Sequence, residues 1–304
     1  MDSRKPIDAI GSSLMLLLCL SWSGQQLVLK WTAADMAPVL QIALRCAGAA
    51  VLVLILMQWR KERVDFAEGP WRPGVLCGML FALEFLLAGI ALQHTLASHV
   101  IVFVYTAPIF AALGLHAMRI ERLVPLQWLG IAVSFAGIAI AFIGHGETAS
   151  PEGVSLIGDA MALGAGAGWG ATTVLVRATR LARAPATEAL LYQLVVAFVL
   201  LMIAAILLGQ TGYTTTPRLV GGLAFQTVIV TFASFLTWFW LLQRYLAWQL
   251  GVFSFITPLF GVLLGAWLLD EPLEAGFLAG AALVVVGILM VSGHAWLKRI
   301  TVTN

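Results

Sequence analysis

The chain consists mainly of long apolar segments that are joined by short, charged connections. Ten of these segments come close to, or exceed, the roughly 20 residues that an α-helix needs to cross a bilayer core. They cover residues 8–29, 37–58, 71–92, 96–118, 125–143, 154–178, 185–208, 219–242, 247–269 and 275–297. Because the apolar runs are continuous, whereas barrel strands alternate, they predict helices. The sequence therefore predicts an all-α integral membrane protein with ten transmembrane helices.

The composition also excludes several classes of protein. Only 11% of the 304 residues are charged, against about 25% in a soluble domain, so the chain lacks the charge to cover a water-facing surface. The net charge of +2 is too small to indicate binding to nucleic acid. All three cysteines lie inside apolar segments and lack metal-ligand or disulfide spacing. We therefore expect no metal and no cofactor.

An internal repeat relates the two halves of the chain. Residues 97–138 align with residues 247–288 without a gap, and twelve of the 42 aligned positions are identical. Earlier segments repeat with a slightly different offset, which places Trp22 opposite Trp169. We therefore divide the chain into a first five-helix repeat at residues 1–146 and a second at residues 147–304. The identical pairs include Pro108/Pro258, Phe110/Phe260, Glu121/Glu271, Gly130/Gly280 and Gly137/Gly287.

The lysines and arginines predict the orientation of the chain. Fourteen of the 17 lie at one set of helix ends and loops, whereas only Lys30 and Arg218 lie at the opposite set. Since basic residues favour the cytoplasmic side, both termini are predicted to be cytoplasmic. Five helices per half is an odd number, so the second half enters the membrane from the opposite side. The two repeats are therefore predicted to be inverted copies.

The pattern Ala97, Pro108 and Glu121, with its second copy at residues 247, 258 and 271, has a counterpart among known families. It resembles the EamA-type drug/metabolite transporter superfamily, and the likeness covers essentially the whole chain. The resemblance implies a ten-helix inverted-repeat exporter of small metabolites, often amino acids, and the chain is most similar to aromatic amino-acid exporters. Arg122 departs from the family motif, which commonly has proline after the glutamate, whereas Pro272 keeps it.

Two charged residues inside predicted spans are candidates for substrate binding or coupling. Glu84 lies in the middle of the third segment, where a charge costs about 2.5–3.5 kcal/mol and should face a cavity or a partner. It is predicted to contact a substrate ammonium group or to carry a coupling proton, and the alternative is a structural hydrogen bond, for example to His99. Arg45 lies nearer one end of its segment, the end at residue 37. It is a candidate for binding a carboxylate, but helix packing or snorkelling is favoured.

Aromatic residues near the middle of the segments form a second group of candidates. Two pairs match across the repeat, Trp22 with Trp169 and Tyr105 with Phe255. An aromatic, mostly uncharged pocket would suit a flat or apolar substrate with one charged end. Ordinary packing or lipid contact is the alternative, because aromatic residues at helical spacing usually pack. The aromatic candidates are Trp22, Phe81, Tyr105, Trp169, Trp238 and Phe255.

Pro108 and Pro258 occupy matching positions in the fourth and ninth segments. Proline leaves the carbonyl four residues earlier without its helical hydrogen bond, which here affects Val104 and Ser254. Such breaks are tolerated at mid-membrane where they line a cavity or are buried in protein. We predict that the two prolines are hinges for gating, and the alternative is that they only bend the helices.

These features predict a secondary transporter in a bacterial inner membrane that exports small metabolites by alternating access. Amino acids with aromatic or other apolar side chains are the favoured substrates, and the expected partners are the substrate, the lipid bilayer and protons. Paired deep carboxylates, a His-rich metal motif and a Walker motif are all absent from the sequence, which argues against an enzyme or an ATP-driven pump. The alternatives are a facilitative channel-like pore, or a carrier for drugs or nucleotide sugars.

Overall fold

The computed structural model describes residues 7–62, 71–120, 122–143, 155–245, 250, 253–254 and 256–300. Within these ranges the regular secondary structure is helical, apart from an isolated bridge between Met36 and Tyr213. The predicted all-helical fold is confirmed for this part of the chain. Three residues of the repeat motif and its aromatic pairs, Glu121, Ala247 and Phe255, lie outside the described residues.

The helices of the first half follow the predicted segments closely. They are α1 at Ala9–Trp31, α2 at Pro38–Trp59, α3 at Trp71–His94, α4 at Ala97–Val104, α5 at Ala107–Ala117 and α6 at Pro125–Ile143. The fourth predicted segment is therefore split into α4 and α5. The split falls just before Pro108, where the sequence predicts a break.

The second half contains one irregular element that the sequence did not predict. Its helices are α7 at Leu156–Ala178, α8 at Ala186–Leu207, α9 at Pro217–Ala224, α10 at Ser234–Arg244, α11 at Ile256–Leu268 and α12 at Ala275–Ile300. A short 3₁₀ turn at Arg180–Arg183 precedes α8. Between α9 and α10, residues Phe225–Ala233 form a π-helical segment, so the three elements make one continuous helical run.

Six helical runs among the described residues are long and apolar enough to cross a membrane. They are Ala9–Trp31, Pro38–Trp59, Trp71–His94, Ala97–Ala117, Ala186–Leu207 and Pro217–Trp238. Shorter apolar stretches lie in α6, α11 and α12. Helix α7 has 23 residues, but its glycines and Asp159 make it less apolar. The chain is thus a multi-span helical membrane protein, and the total of ten spans stays a prediction.

The last helices of the two halves, α6 and α12, pack tightly against each other. A Cβ atom on Gly137 would lie 2.6 Å from the carbonyl oxygen of Gly280, and one on Gly280 would lie 2.5 Å from that of Gly137. A Cβ atom on Gly287 would likewise collide with the carbonyl oxygen of Gly130. The repeated glycines therefore let the two backbones approach each other. We call this contact the α6–α12 crossing.

Most of the other extensive contacts also join one half to the other. Helix α3 packs against α7 and α8, α2 packs against α8, and α1 packs against α11. Helices α4 and α5 both lie against α7, and α4 also contacts α11. The main hydrophobic core consequently lies between the halves, and residues in the middle of these helices face one another there.

Asp35, in the connection between α1 and α2, ties the two halves together at the end of the bundle that is predicted to be external. Its carboxylate accepts hydrogen bonds from Arg218 at 2.5 and 2.9 Å and from the Thr216 hydroxyl at 2.8 Å. The hydrogen bond from Arg218 holds the pKa of Asp35 below its ordinary value of 3.8. The contact therefore links a loop of the first half to the start of α9.

Replacing Asp35 by asparagine should lower the thermal unfolding midpoint at neutral pH. It should also make that midpoint change less as the pH is lowered. Because the folded pKa is lowered, the stabilisation is present above the ordinary aspartate pKa of 3.8 and is lost as the pH falls through the folded value. Thermal unfolding in detergent from about pH 7 to about pH 3 measures both effects. Asp270→Asn, at an exposed aspartate, is the control. Parallel acid profiles for the wild type and Asp35→Asn would contradict the prediction.

Candidate functional site

Glu84 is buried in the middle of α3, beside α7. Its side chain is only 6% exposed, and a Cβ atom on Gly168 would lie 3.5 Å from both Cα and Cβ of Glu84. It interacts electrostatically with Arg45 on α2 and with Tyr105 at the α4–α5 break. His99, which the sequence offered as a hydrogen-bond partner for Glu84, contacts Asp159 instead.

Arg45 is also fully enclosed, with 2% of its surface exposed. It donates a hydrogen bond of 2.6 Å to the side-chain oxygen of Gln226, and its guanidinium carbon lies 4.6 Å from the centre of the Phe85 ring. Its Nε has no hydrogen-bond partner among the described residues. Arg45 is therefore packed between helices and does not snorkel, and no ion pair joins it to Glu84 in the described part of the chain.

Gln226 is a residue of this site that the sequence analysis missed. It is fully buried in the π-helical segment, and its amide nitrogen donates 2.7 Å to the backbone carbonyl of Gln25 on α1. It thereby connects α1 to Arg45 on α2. The only signal in the sequence was a polar residue inside an apolar segment, which marks a buried role without naming a partner. π-Helical turns occur frequently at functional sites.

The predicted aromatic residues fall into two groups. In the first, Trp22 of α1 meets Trp238 of α10 edge to face, with ring centroids 5.6 Å apart. The indole nitrogen of Trp22 donates 3.0 Å to the hydroxyl of Ser234. These two tryptophans pack beside a small cluster that includes Cys19 and Tyr245, apart from the main core.

The second group belongs to the main core. The rings of Tyr105 and Trp169 meet edge to face at 5.3 Å. Phe81 contacts Phe85 at 4.6 Å and Phe235 at 6.4 Å. These residues of α3, of α7, of α10 and of the α4–α5 break all lie in or against the main core, in two sets of ring contacts. The predicted partner of Tyr105 in the repeat, Phe255, falls outside the described residues.

The glycines on either side of Trp169 bring α7 close to three other helices. A Cβ atom on Gly166 would lie 2.7 Å from the carbonyl oxygen of Phe103, and one on Gly170 would lie 2.9 Å from that of Ala107. These glycines therefore allow α7 to pack closely against its neighbours. The position of Trp169 is therefore fixed by backbone contacts.

The helix is interrupted just before Pro108, where the sequence predicts a break. Helix α4 ends at Val104 and α5 begins at Ala107, so Tyr105 lies in the turn between them. The Thr106 hydroxyl donates 2.6 Å to the carbonyl of Phe103, which satisfies part of the lost helical bonding. Tyr105 is consequently presented at a break, where a change in backbone angle would move it.

Carbonyls around Pro258 receive hydrogen bonds from α1. The Ser23 hydroxyl donates 2.8 Å to the carbonyl of Thr257, and the Cys19 thiol donates 3.3 Å to that of Phe253. Thr257 also lies near Tyr105, so this proline region touches both α1 and the α4–α5 break. The two prolines therefore lie beside the same group of helices, although their part in gating stays a prediction.

Because the sequence predicts a transporter of aromatic substrates, replacing Trp169 by alanine is expected to weaken their transport more than that of aliphatic substrates. An edge-to-face aromatic contact contributes about 0.5–1.5 kcal/mol beyond burial, which corresponds to a roughly two- to tenfold change. Competition of unlabelled solutes against a labelled substrate measures the change in selectivity. Trp267→Ala is the control, because Trp267 is 76% exposed on α11. An equal loss for every substrate would argue against contact with Trp169.

Comparison with known families agrees with this architecture. The model of the EamA-like transporter family matches residues 9–143 and, separately, residues 156–293. The chain belongs to the EamA-like transporter family. The resemblance drawn from the repeat motif is therefore confirmed. Family membership makes the chain a membrane transporter, and the family model matches it twice.

Individual relatives of this EamA-family protein cover almost its entire length. The uncharacterized transporter YvbV of Bacillus subtilis (strain 168) is 24% identical over 92% of this chain and 90% of its own. A protein of Escherichia coli (strain K12) named "Probable amino-acid metabolite efflux pump" is 23% identical over 95% of this chain and 97% of its own. One solved crystal structure matches with a TM-score of 0.66 at 19% identity, covering 97% of this chain and 99% of that one. That likeness shows the fold alone.

Proposed function

We propose that this EamA-family protein exports a small zwitterionic metabolite, with amino acids bearing aromatic or other apolar side chains as the favoured substrates. The observation that carries the proposal is the pair of buried opposite charges, Glu84 and Arg45, which are not joined by an ion pair. Charges inside a membrane protein are costly unless they are paired. A zwitterion would satisfy both, because its ammonium group would bind Glu84 and its carboxylate would bind Arg45.

The aromatic residues around Glu84 suit the apolar part of such a substrate. Tyr105 and Trp169 already meet edge to face, and Phe81 lies beside Phe85 on the same helix as Glu84. A planar side chain would find further ring edges and faces at this place. Trp22 and Trp238, which lie in the other group, would close the site from the α1 side.

Alternating access would arise from two inverted five-helix halves, residues 1–146 and 147–304, that rock against each other. Two separate matches to the family model support this division. The α6–α12 crossing supports it as well, because Gly137 against Gly280 and Gly130 against Gly287 are equivalent contacts in the repeat. Pro108 and Pro258 would act as the hinges.

The proposed location is a bacterial inner membrane, with ten spans and both termini in the cytoplasm. The concentration of lysine and arginine at one set of helix ends supports this orientation. The name of the Escherichia coli relative, an amino-acid metabolite efflux pump, supports amino acids as the substrate class.

Counterflow in liposomes tests this proposal. Vesicles containing the full chain and an excess of one unlabelled amino acid should accumulate the labelled amino acid, with saturable kinetics and a preference for aromatic and apolar side chains. The assay is run with and without a pH gradient, and protein-free vesicles are the control. Unitary currents without counterflow would show a pore. Counterflow of nucleotide sugars or drugs, but of no amino acid, would show a carrier of another class.

A further inference from the structure

A second pair of buried ionisable groups lies outside the candidate site, between α4 and α7. His99 Nδ1 lies 3.1 and 3.0 Å from the two carboxylate oxygens of Asp159. The Thr95 hydroxyl donates 2.5 Å to the same carboxylate. The imidazole is stacked on Phe277, with ring centroids 3.8 Å apart and planes 8° apart. With exposures of 1% for His99 and 0% for Asp159, the pair is enclosed and its geometry is fixed.

Two further charges lie next to this pair. The Lys30 ammonium donates to the carbonyls of Leu92 at 2.8 Å and of Thr95 at 2.5 Å, which places it at the corner between α3 and α4. The Glu271 carboxylate accepts hydrogen bonds from the backbone N–H groups of residues 97 and 98, at 2.6 and 3.0 Å, and so caps α4. Lys30 and Glu271 also attract each other electrostatically.

The charge balance of this group depends on His99. While the imidazole is neutral, the described side chains of this group are one cation, Lys30, and two carboxylates, Asp159 and Glu271. A proton on His99 places a second cation directly against the Asp159 carboxylate, which is favourable because a buried charge is costly unless it is paired. Histidine is also the side chain that most readily changes charge between pH 5 and 8. Other titratable groups on the elements packed here include Arg72, Glu84 and His94 on α3, Arg177 on α7 and Glu274 before α12.

The same two helices lead from this pair to the candidate site. Helix α4 continues from His99 to the break at Tyr105, over about 9 Å at 1.5 Å per residue, and α7 carries Trp169. A Cβ atom on Gly158 would lie 2.9 Å from Thr95 Cβ, so the start of α7 touches the α3–α4 corner directly. A change in how α4 packs on α7 at His99 would therefore move Tyr105 relative to Trp169.

We propose that His99 and Asp159 form a proton-binding site whose protonation holds α4 against α7. The imidazole takes up one proton and becomes an imidazolium, which pairs with the Asp159 carboxylate. Release of the proton removes the charge attraction between His99 and Asp159 and favours separation of the two helices. In the proposed orientation the pair lies toward the external side, so it would respond to external pH. Its effect on export rests on the proposed function, whereas its proton binding does not.

Histidine NMR tests proton binding without any substrate. The full chain, reconstituted with ¹⁵N-labelled histidine, contains five histidines, and the resonance that disappears in His99→Asn belongs to His99. We expect this resonance to change with pH between 5 and 8. Asp159→Asn, which removes the carboxylate that lies against the imidazole, should alter the pH dependence of this resonance. A His99 resonance that does not change between pH 5 and 8 would overturn the site, whatever the protein transports.

The pH profile of counterflow tests the coupling to transport. Wild-type counterflow should change severalfold between pH 5 and 8, and His99→Asn should flatten the profile. Asparagine keeps a hydrogen-bond donor where Nδ1 lies, so the contact with Asp159 is retained without the titration. His94→Asn, at an exposed histidine of α3, is the matched control and should keep the wild-type profile.

If His99→Asn does not fold, Thr95→Val, which removes one hydrogen bond to the Asp159 carboxylate, should shift the pH profile of counterflow. Identical profiles in the wild type and the folded variant would overturn the coupling.

Discussion

Replacing Glu84 by glutamine should reduce counterflow of the best amino-acid substrate about thirtyfold or more. Loss of one partner from a buried charge pair costs about 2–5 kcal/mol, and 2 kcal/mol corresponds to about thirtyfold. Glutamine has nearly the same shape, so the contact with α7 at Gly168 should survive. Initial counterflow rates in liposomes, normalised to the amount of folded protein, measure the effect.

The matched control for this substitution is Glu188→Gln. Glu188 is buried to a similar degree, at 4% exposed, but it lies in the first turn of α8 and accepts a hydrogen bond from Tyr192 at 3.2 Å. It should leave transport near the wild-type rate. Since Glu84→Gln leaves Arg45 without its nearest carboxylate, the double variant with Arg45→Gln restores the charge balance and separates folding from transport. Unchanged counterflow in Glu84→Gln would remove Glu84 from the mechanism.

Replacing Gly280 by valine should have the largest effect on stability, because it forces the α6–α12 crossing apart. A Cβ atom there would lie 2.5 Å from the Gly137 carbonyl oxygen and 2.8 Å from the Ala141 nitrogen, which are backbone atoms that cannot rotate away. Overpacking typically costs about 1–3 kcal/mol, and backbone obstacles favour the upper part of that range. We expect a thermal midpoint lower by several degrees, or loss of the folded monodisperse protein.

Thermal unfolding followed by size-exclusion chromatography in detergent measures this effect. Gly221→Val in α9 is the control, because a Cβ atom on Gly221 meets nothing within 4 Å. Equal midpoints for Gly280→Val and Gly221→Val would mean that the two helices can separate without cost, and the close crossing would then not contribute to stability.

The helices were predictable because hydropathy is a local property of the sequence. The break at Pro108 was predictable for the same reason, since proline acts on the carbonyl four residues earlier. The burial of Glu84 followed from its position within an apolar segment. Each of these predictions depends on neighbouring residues alone, and each agrees with the described structure.

The partners of the polar residues were not predictable in the same way. Arg45 binds Gln226 from 181 residues away, and Asp159 binds His99 from 60 residues away. Hydropathy indicates which groups must be satisfied, but it contains no information about which helix supplies the partner. The π-helical segment is a similar case, because its wider turn depends on contacts with α1 and α2 and has no motif of its own.

The repeated glutamate has a structural role that the sequence alone does not show. In the sequence, Glu271 is simply the second copy of a residue found at position 121. In the structure it reaches across to the other half and caps the backbone at Ala97, the first residue of the first copy of the motif. The last residue of the motif in the second half is thus hydrogen-bonded to the first residue of the motif in the first half.

The α6–α12 crossing also has a consequence for the synthesis of the protein. Gly137 emerges from the ribosome about 140 residues before Gly280, which takes on the order of 10 s at 5–20 residues per second. During that interval the glycine face of α6 is inserted without its partner and remains open to lipid or to chaperones. The α6–α12 crossing, which joins the two halves most tightly, is consequently among the last contacts to form. If synthesis stops before α12, the chain lacks the helix against which α6 packs.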